Sequence, residues 1–184
     1  DADVDAGDAT GTDAGGGWRR AGRALGHYLV GLGHARCAWV TGQGAAMARA
    51  AAIRAGLTDA LAAATLPAPA DVICRAGTPR RAELVRAAPA ATALVCADDA
   101  LALAVLRELA AAGIGVPRDV SVTGCGDAPA ARHATPPLTT LRRPYEAVGV
   151  ATADRVLAGL RGDPVLPEAP WAKLVVRRST GPAR

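Results

Sequence analysis

The chain has 184 residues, of which 51% are hydrophobic and 3% are aromatic, and its formal net charge is +4. This length suits one domain or two small lobes, and no apolar stretch is long enough to span a membrane. The arginines occur in scattered pairs without interleaved aromatic residues, which is typical of a solvated surface rather than of a nucleic-acid interface.

An acidic segment opens the chain. Residues 1–12 are rich in Asp and Gly with almost no large apolar residue, which predicts disorder. From Trp18 onward, short β-branched runs alternate with longer stretches of helical periodicity. In chain order the pattern predicts a helix over 18–32, a strand over 37–42, a helix over 45–64, a strand over 70–77, a helix over 78–88, a strand over 91–97, a helix over 98–112, strands over 118–126 and 137–143, a helix over 144–161 and a strand over 171–179.

This alternation predicts the α/β class, with a Rossmann-like, mostly parallel sheet that carries helices on both faces. In such sheets, right-handed crossovers bring the carboxyl ends of the strands to one edge, where ligands bind. We therefore expect binding residues directly after the strands, at residues 41–44, 75–78, 98–99 and 125–127.

Three aspartates directly follow two of the predicted strands. Asp98 and Asp99 come after the strand over 91–97, and Asp127 comes after the strand over 118–126. Because neighbouring parallel strands end side by side, these carboxylates can converge in one cleft and accept hydrogen bonds from sugar hydroxyls. Structural roles suit the same residues, since Asp98 and Asp99 can cap the following helix and Asp127 can form a turn.

Signatures of catalysis and of metal binding are weak. The chain has no G-x-S-x-G elbow, and GQGAAM at residues 42–47 lacks the Lys-Ser/Thr ending of a phosphate loop. The histidines and cysteines show no spacing typical of a catalytic pair or a metal site. We therefore predict no catalytic residue, no metal and no cofactor.

The cysteines and the N-terminus indicate the compartment. No two cysteines form a CxxC pair and each lies in or beside an apolar run, so we expect four free, buried thiols: Cys37, Cys74, Cys96 and Cys125. Free thiols are typical of a reducing compartment. Because the N-terminus also lacks the form of a signal peptide, we expect a soluble, cytoplasmic protein without membrane contact.

The stretch ALVCADDALALAVLRELAAAGIGVPRDVSVTGCGDAPAARHATPPLTTLRRPYEAVG, residues 93–149, closely resembles the effector-binding region of the LacI/GalR family of sugar-responsive bacterial repressors. ALGHYLVGLGHARCAWVTG, RAGLTDAL and LVVRRST resemble other parts of that region, so the resemblance runs from about residue 13 to residue 180. It implies two Rossmann-like lobes joined by three crossovers, with a sugar or nucleobase effector between them and a separate helix-turn-helix for operator DNA.

The resemblance also implies a division of the chain. Residues 13–184 would form an effector-binding-type domain, in which 13–144 and 172–178 make up the C-terminal lobe. The helix over 145–162 would belong to the first lobe, so its apolar side chains would face solvent or a partner. We expect the helix-turn-helix and most of the first lobe to be absent from this chain, and operator DNA to be bound only through that absent element.

The ligand-binding residues that we predict on this basis are Asp98, Asp99, Asp127, Arg54 and Tyr145. Several positions depart from the family pattern. Ile53 stands where arginine is usual, and Arg54 is turned by about 100° from that place on a helix. Cys125 and Gly126 replace an aromatic residue and an Asp, and Arg143 replaces a glutamine. These departures weaken the expectation of ordinary effector affinity.

We predict a non-catalytic ligand-sensing region of a LacI/GalR-type regulator. A small molecule, expected to be a sugar, would bind between two lobes and shift their relative orientation, and a full-length protein would couple that shift to DNA affinity. The resemblance also allows a homodimer. Three alternatives stay open: a solute-binding module of the same fold, a small α/β enzyme that uses Asp127 or Cys125, and a decayed gene product.

Overall fold

A computed structural model describes residues 17–42, 47–74, 84, 90–143, 145–162 and 172–184. The helices and strands on these residues are α1 (Gly17–Gly31), β1 (Cys37–Gly42), α2 (Met47–Ala63), β2 (Ala70–Cys74), β3 (Ala93–Cys96), α3 (Asp99–Ala111), β4 (Ser121–Cys125), α4 (Pro129–His133), β5 (Thr139–Arg142), α5 (Tyr145–Arg161) and β6 (Lys173–Val175). The predicted disorder over 1–12 and the predicted helix over 78–88 lie outside the described residues, except for Leu84.

The strands form one sheet in the order β2-β1-β3-β4-β5-β6. The first five strands in this order are parallel, and β6 pairs antiparallel with β5. This confirms the predicted α/β class with a mostly parallel sheet. The carboxyl ends of the five parallel strands share one edge, here called the carboxyl edge: residues 41–42, 74, 96–98, 125–127 and 142–143.

Apolar side chains alternate between the two faces of the sheet, and each face is covered by helices. In β1, Ala38 and Val40 pack toward α3, whereas Cys37 and Trp39 pack toward α1 and α2. Leu84 is buried on the α3 side. The period of two in the strands therefore builds two cores, one on each face, as the doubly covered sheet requires. No helix in the described part of the chain is both long and apolar enough to cross a membrane.

The helices α1 and α2 cross with their backbones in contact. A Cβ atom at Gly56 would lie 1.9 Å from the carbonyl oxygen of Arg19, and one at Gly22 would lie 2.1 Å from that of Ile53. Only glycine leaves room for such an approach. This crossing places the first turns of both helices side by side at the carboxyl edge.

The C-terminal tail lies at the edge of the sheet opposite the carboxyl edge, where buried polar contacts hold it. His34 is buried, with Nδ1 2.9 Å from the Thr92 hydroxyl and Nε2 3.0 Å from the carbonyl oxygen of Gly181. Because that carbonyl can only accept, Nε2 carries a proton and donates to it. Burial lowers the pKa of His34 below 6.5, and the hydrogen bond to Gly181 offsets part of this effect.

The His34 contact predicts a loss of stability in mild acid. Because the folded state holds the pKa of His34 below its unfolded value of 6.5, its contribution is fully present above pH 6.5. It is lost as the pH falls through the folded pKa. Urea unfolding between pH 7.5 and pH 5 should show this decline, and His34→Gln should flatten it. The same substitution at exposed His133 is the control, and an equal change in both variants would contradict the assignment.

Candidate functional site

The carboxyl edge is also the place where helices begin. Because α2 and α3 run antiparallel to the strands that they connect, their first turns lie at this edge. The first turn of α1 lies beside that of α2, and α5 starts three residues after β5 ends. The positive ends of several helix dipoles therefore converge here. Of the segments expected to carry binding residues, 98–99 and 125–127 lie at this edge, 41–44 is described only as far as Gly42, and 75–78 lies outside the described residues.

The turns that follow β3 and β4 lie side by side, as expected for neighbouring parallel strands. Asp98 is the N-cap of α3, where its Oδ1 accepts a hydrogen bond from the Leu101 amide at 2.8 Å. Asp99 is buried, and it accepts hydrogen bonds of 2.6 Å from the Thr140 hydroxyl and from the Ala128 amide. Burial raises the pKa of Asp99, and these two hydrogen bonds offset part of the rise.

Asp127 forms an ion cluster with arginines from three parts of the chain. Its side chain is 1% exposed, and it accepts hydrogen bonds from Arg142 and, at 2.5 Å, from Arg177, with Arg132 at 3.4 Å. Burial raises the pKa of Asp127, but the hydrogen bonds from Arg177 and Arg142 outweigh it and hold the pKa below its ordinary value. The cluster ties the turn after β4 to β5 and to the segment after β6.

These contacts show what the three aspartates do in the fold. Asp98 caps a helix, Asp99 links α3 to β5, and Asp127 anchors the two strands that lead toward the end of the chain. A Cβ atom at Gly124 would lie 2.3 Å from Oδ1 of Asp99, so glycine is required for this link. The structural roles that the sequence allowed are therefore present, and both oxygens of Asp99 and of Asp127 are engaged by protein donors.

Arg54 lies on the flank of the sheet. Its guanidinium makes a bidentate ion pair with Asp71 at 2.7 Å, and Asp71 stands opposite Trp39 in the middle of β1. Ile53, where the family pattern has arginine, is buried between α1 and α2. The arginine of α2 that reaches the carboxyl edge is Arg49, which lies in the first turn of that helix.

Two arginines and two aromatic rings meet at this edge. The guanidinium carbons of Arg49 and Arg143 each lie 5.8 Å from the ring centroid of Trp18, and that of Arg143 lies 5.7 Å from the Tyr145 ring. Trp18 is 2% exposed, whereas Tyr145 is 58% exposed. We call this group the Trp18 cluster: Trp18, Arg49, Arg143 and Tyr145.

The sequence pointed to only part of the Trp18 cluster. Tyr145 was expected to contact ligand, and Arg143 was noted only as the replacement of a glutamine. A usable signal was present, since Trp18 and Arg49 open predicted helices whose first turns must lie at the carboxyl edge. The contact between them depends on the crossing of α1 and α2, which no local pattern indicates.

The apolar face of α5 is exposed. Among the residues of this helix only Ala158 is buried, while Tyr145, Val156 and Leu160 are 58%, 58% and 80% exposed. A groove of about 660 Å³ runs along it, and its lining residues are Tyr145, Glu146, Ala147, Val150, Ala151 and Asp154. As expected from the sequence, the helix does not bury its apolar side chains against the rest of the described chain, although Val148 is half-buried.

All four cysteines are free and buried, as predicted. Burial raises the pKa of Cys125 to about 12, an effect that the charge of Arg49 reduces only in part. Burial likewise raises the pKa of Cys37 to about 11. Nucleophilic cysteines work as thiolates, so these two side chains are unsuited to that role near neutral pH.

A parallel sheet with helices on both faces, and with charged and aromatic side chains gathered at its carboxyl edge, defines the class of ligand-binding lobes that resemble periplasmic binding proteins. The family model described as periplasmic binding protein-like domain matches residues 27–180. The chain belongs to this family and corresponds to the effector-binding region of LacI/GalR regulators.

The relatives are transcriptional regulators. The chain is 34% identical over 152 residues to the regulator CelR of Thermobifida fusca, covering 79% of this chain and 44% of CelR. It is 42% identical over 95 residues to MalR of Streptomyces coelicolor, covering 50% of this chain and 27% of MalR. A solved structure of a CelR–cellobiose complex is 31% identical with a TM-score of 0.73, covering 89% of this chain and 52% of that chain. The chain thus spans about half the length of these relatives or less.

Proposed function

We propose that the chain is the ligand-sensing lobe of a LacI/GalR-type transcriptional regulator and that it binds a sugar at its carboxyl edge without catalysing a reaction. The observation that carries this proposal is the Trp18 cluster, which places hydrogen-bond donors and an exposed aromatic ring where α/β sheets bind ligands. The cellobiose complex of the 31% identical relative supports a sugar as the ligand class.

The position of the Trp18 cluster would allow a bound ligand to affect the rest of a regulator. Arg49 stands on α2, whereas Arg143 and Tyr145 stand at the junction between β5 and α5. A ligand that contacts both groups favours one orientation of α5 relative to the sheet. Such differential contact is what a ligand needs in order to shift a conformational equilibrium.

We further propose that residues 13–144 and 172–178 form the C-terminal lobe and that the helix over 145–162 packs on a first lobe in the whole regulator. The exposed apolar side chains of α5 support this assignment, because an apolar helix face normally lies against another element. The Asp127 cluster supports it as well, since Arg142 and Arg177 anchor the two strands through which the chain would pass between lobes.

The proposal predicts that sugars stabilise the chain. Titration of the full chain with glucose, maltose and cellobiose, followed by calorimetry and by thermal unfolding, should show a Tm that rises with the concentration of at least one sugar, because binding to the folded state stabilises it. Tyr145→Ala should weaken that binding about tenfold or more, since ring contacts to a ligand contribute about 1–3 kcal/mol.

The control is Val156→Ala, an exposed apolar residue three turns further along α5 that should leave the affinity unchanged. Loss of affinity in both variants would show that the sugar does not bind at the cluster. The absence of any binding heat or Tm shift with all three sugars, and also with acidic sugars such as glucuronate and glucose 6-phosphate, would contradict the proposed function.

A further inference from the structure

We infer that the ligand of this site carries an anionic group, a carboxylate or a phosphate, which Arg49 and Arg143 bind at the carboxyl edge. The inference rests on the proposed function, because it specifies the chemical class of the sugar that the lobe binds. The group it would recognise is that of a sugar acid or a sugar phosphate, and the two sources differ only in the shape and charge of the anion.

Arg49 carries a buried donor at the carboxyl edge. Its Nε atom is buried, and within the described part of the chain it has no hydrogen-bond partner. A buried guanidinium N–H that donates to nothing costs free energy, and that cost is recovered when an acceptor arrives. The side chain is held in place by Trp18, so the donor is oriented before a ligand binds.

Two positively charged side chains lie beside the same indole ring. Arg49 and Arg143 lie at the same distance from one indole ring, which places their guanidinium carbons no more than about 12 Å apart. Two guanidinium groups repel each other, and the repulsion grows when the side chains are partly removed from water. An anion that lies near them lowers it. A carboxylate or phosphate also matches the planar fork of a guanidinium with two parallel hydrogen bonds.

The three aspartates of this edge already accept hydrogen bonds from protein donors. Among the described residues here, four acids face five arginines: Asp98, Asp99, Asp127 and Glu146 against Arg49, Arg132, Arg142, Arg143 and Arg177. Asp127 alone is contacted by three of those arginines. Counted over the described residues alone, this edge carries more positive than negative charge, a balance that attracts an anionic ligand over a neutral one.

The N-termini of the helices at this edge also favour an anionic ligand. The first turns of α1 and α2 contain no acidic residue, whereas α3 begins with Asp99 and α5 has Glu146 in its first turn. A helix N-terminus carries a partial positive charge that an acid in the first turn would compensate. The two helices that support Trp18 and Arg49 thus add to the positive potential at the cluster.

The test is a calorimetric titration of the full chain with matched ligands: glucose, glucuronate, glucose 6-phosphate and inorganic phosphate. We expect glucuronate or glucose 6-phosphate to bind at least tenfold more tightly than glucose, with an affinity that falls as salt is raised from 50 to 500 mM. The stronger of the two identifies the anion as a carboxylate or a phosphate. Glucose that binds as tightly as both acidic sugars would overturn the inference.

Charge-neutral variants locate the anion. Arg49→Gln and Arg143→Gln should each reduce the affinity for the acidic sugar at least tenfold, toward that of glucose. Arg107→Gln, which removes the same charge from an exposed position on α3, is the matched control and should change it less than twofold. Equal losses in all three variants would show only a long-range charge effect and would overturn the assignment of the site.

A further variant and two further binding outcomes separate this inference from the proposed function. If a glutamine variant does not fold by circular dichroism, the lysine variant at the same position retains the charge without the planar fork and should show a smaller loss with the salt dependence kept. If inorganic phosphate binds and no sugar does, the anion site stands and the sugar assignment fails. If glucose alone binds, the proposed function stands and this inference fails.

Discussion

Substitution of Gly56 by alanine is expected to lower the free energy of unfolding by about 3 kcal/mol or more, which is the upper range for overpacking. The new Cβ atom would meet the carbonyl oxygen of Arg19 at 1.9 Å and the amide nitrogen of Arg23 at 2.7 Å. Both are backbone atoms of α1, so no change of rotamer can relieve the overlap. The helices would have to separate, and the Trp18 cluster would lose its support.

The measurement is urea unfolding followed by circular dichroism, with the free energy extrapolated to water. Gly149→Ala is the matched control, because a Cβ atom at this position of α5 would meet nothing within 4 Å. Alanine is a better helix former than glycine by about 1 kcal/mol, so the control should be neutral or stabilising. A Gly56→Ala chain as stable as this control would contradict the close crossing of α1 and α2.

Asp127→Asn is expected to lower the free energy of unfolding by about 3 kcal/mol, the lower range for breaking a buried ion pair. Arg177 is nearly buried and would lose its carboxylate, whereas Arg132 and Arg142 are partly exposed and can be rehydrated. Asparagine tolerates the left-handed φ of 54° at this position, so the substitution tests the charge rather than the backbone.

The pH dependence gives an independent check on Asp127. Its folded pKa lies below the unfolded value of 3.8, so its contribution is present above pH 3.8 and is lost as the pH falls through the folded pKa. Acid unfolding of the parent chain should therefore be steeper than that of Asp127→Asn. Asp154→Asn, which removes the same charge from an exposed position of α5, serves as control. Equal acid profiles for all three chains would contradict the Asp127 cluster.

Both predictions bear on the site as well as on stability. The crossing at Gly56 holds α1 and α2 so that Trp18 and Arg49 meet. The Asp127 cluster holds β5, from which Arg143 and Tyr145 extend. Since a ligand-binding cluster needs a rigid support, milder substitutions at either place are expected to weaken binding before they unfold the chain.

Local patterns were sufficient to predict the helices and strands of the described chain apart from the short helix α4. The helix that begins after Asp98 is capped by that residue, and glycines with positive φ follow the ends of three predicted helices: Gly33, Gly113 and Gly162. Such signals act within one or two turns, so they can be read from a single sequence. The location of the carboxyl edge also followed, because crossovers between parallel strands have a fixed hand.

The partners of the candidate site residues were not predictable in the same way. Asp127 and Arg177 are 50 residues apart, and Asp99 and Thr140 are 41 apart. The sequence showed that acids would gather at one edge, but not whether their oxygens would be open to a ligand. That depends on strand order and register, which bring β5 and the segment after β6 beside the turn after β4.

Arg54 and Arg49 also show the difference between what local sequence predicts and what the tertiary structure determines. Helical geometry alone indicated that Arg54 is turned away from the usual arginine position. Only the tertiary structure shows that it reaches Asp71 on the edge strand, while Arg49 reaches Trp18. The sequence by itself therefore determined the fold class, the order of elements and the edge where the site lies. The tertiary structure decided which charges are neutralised there, because long-range contacts are set by packing and strand order rather than by local pattern.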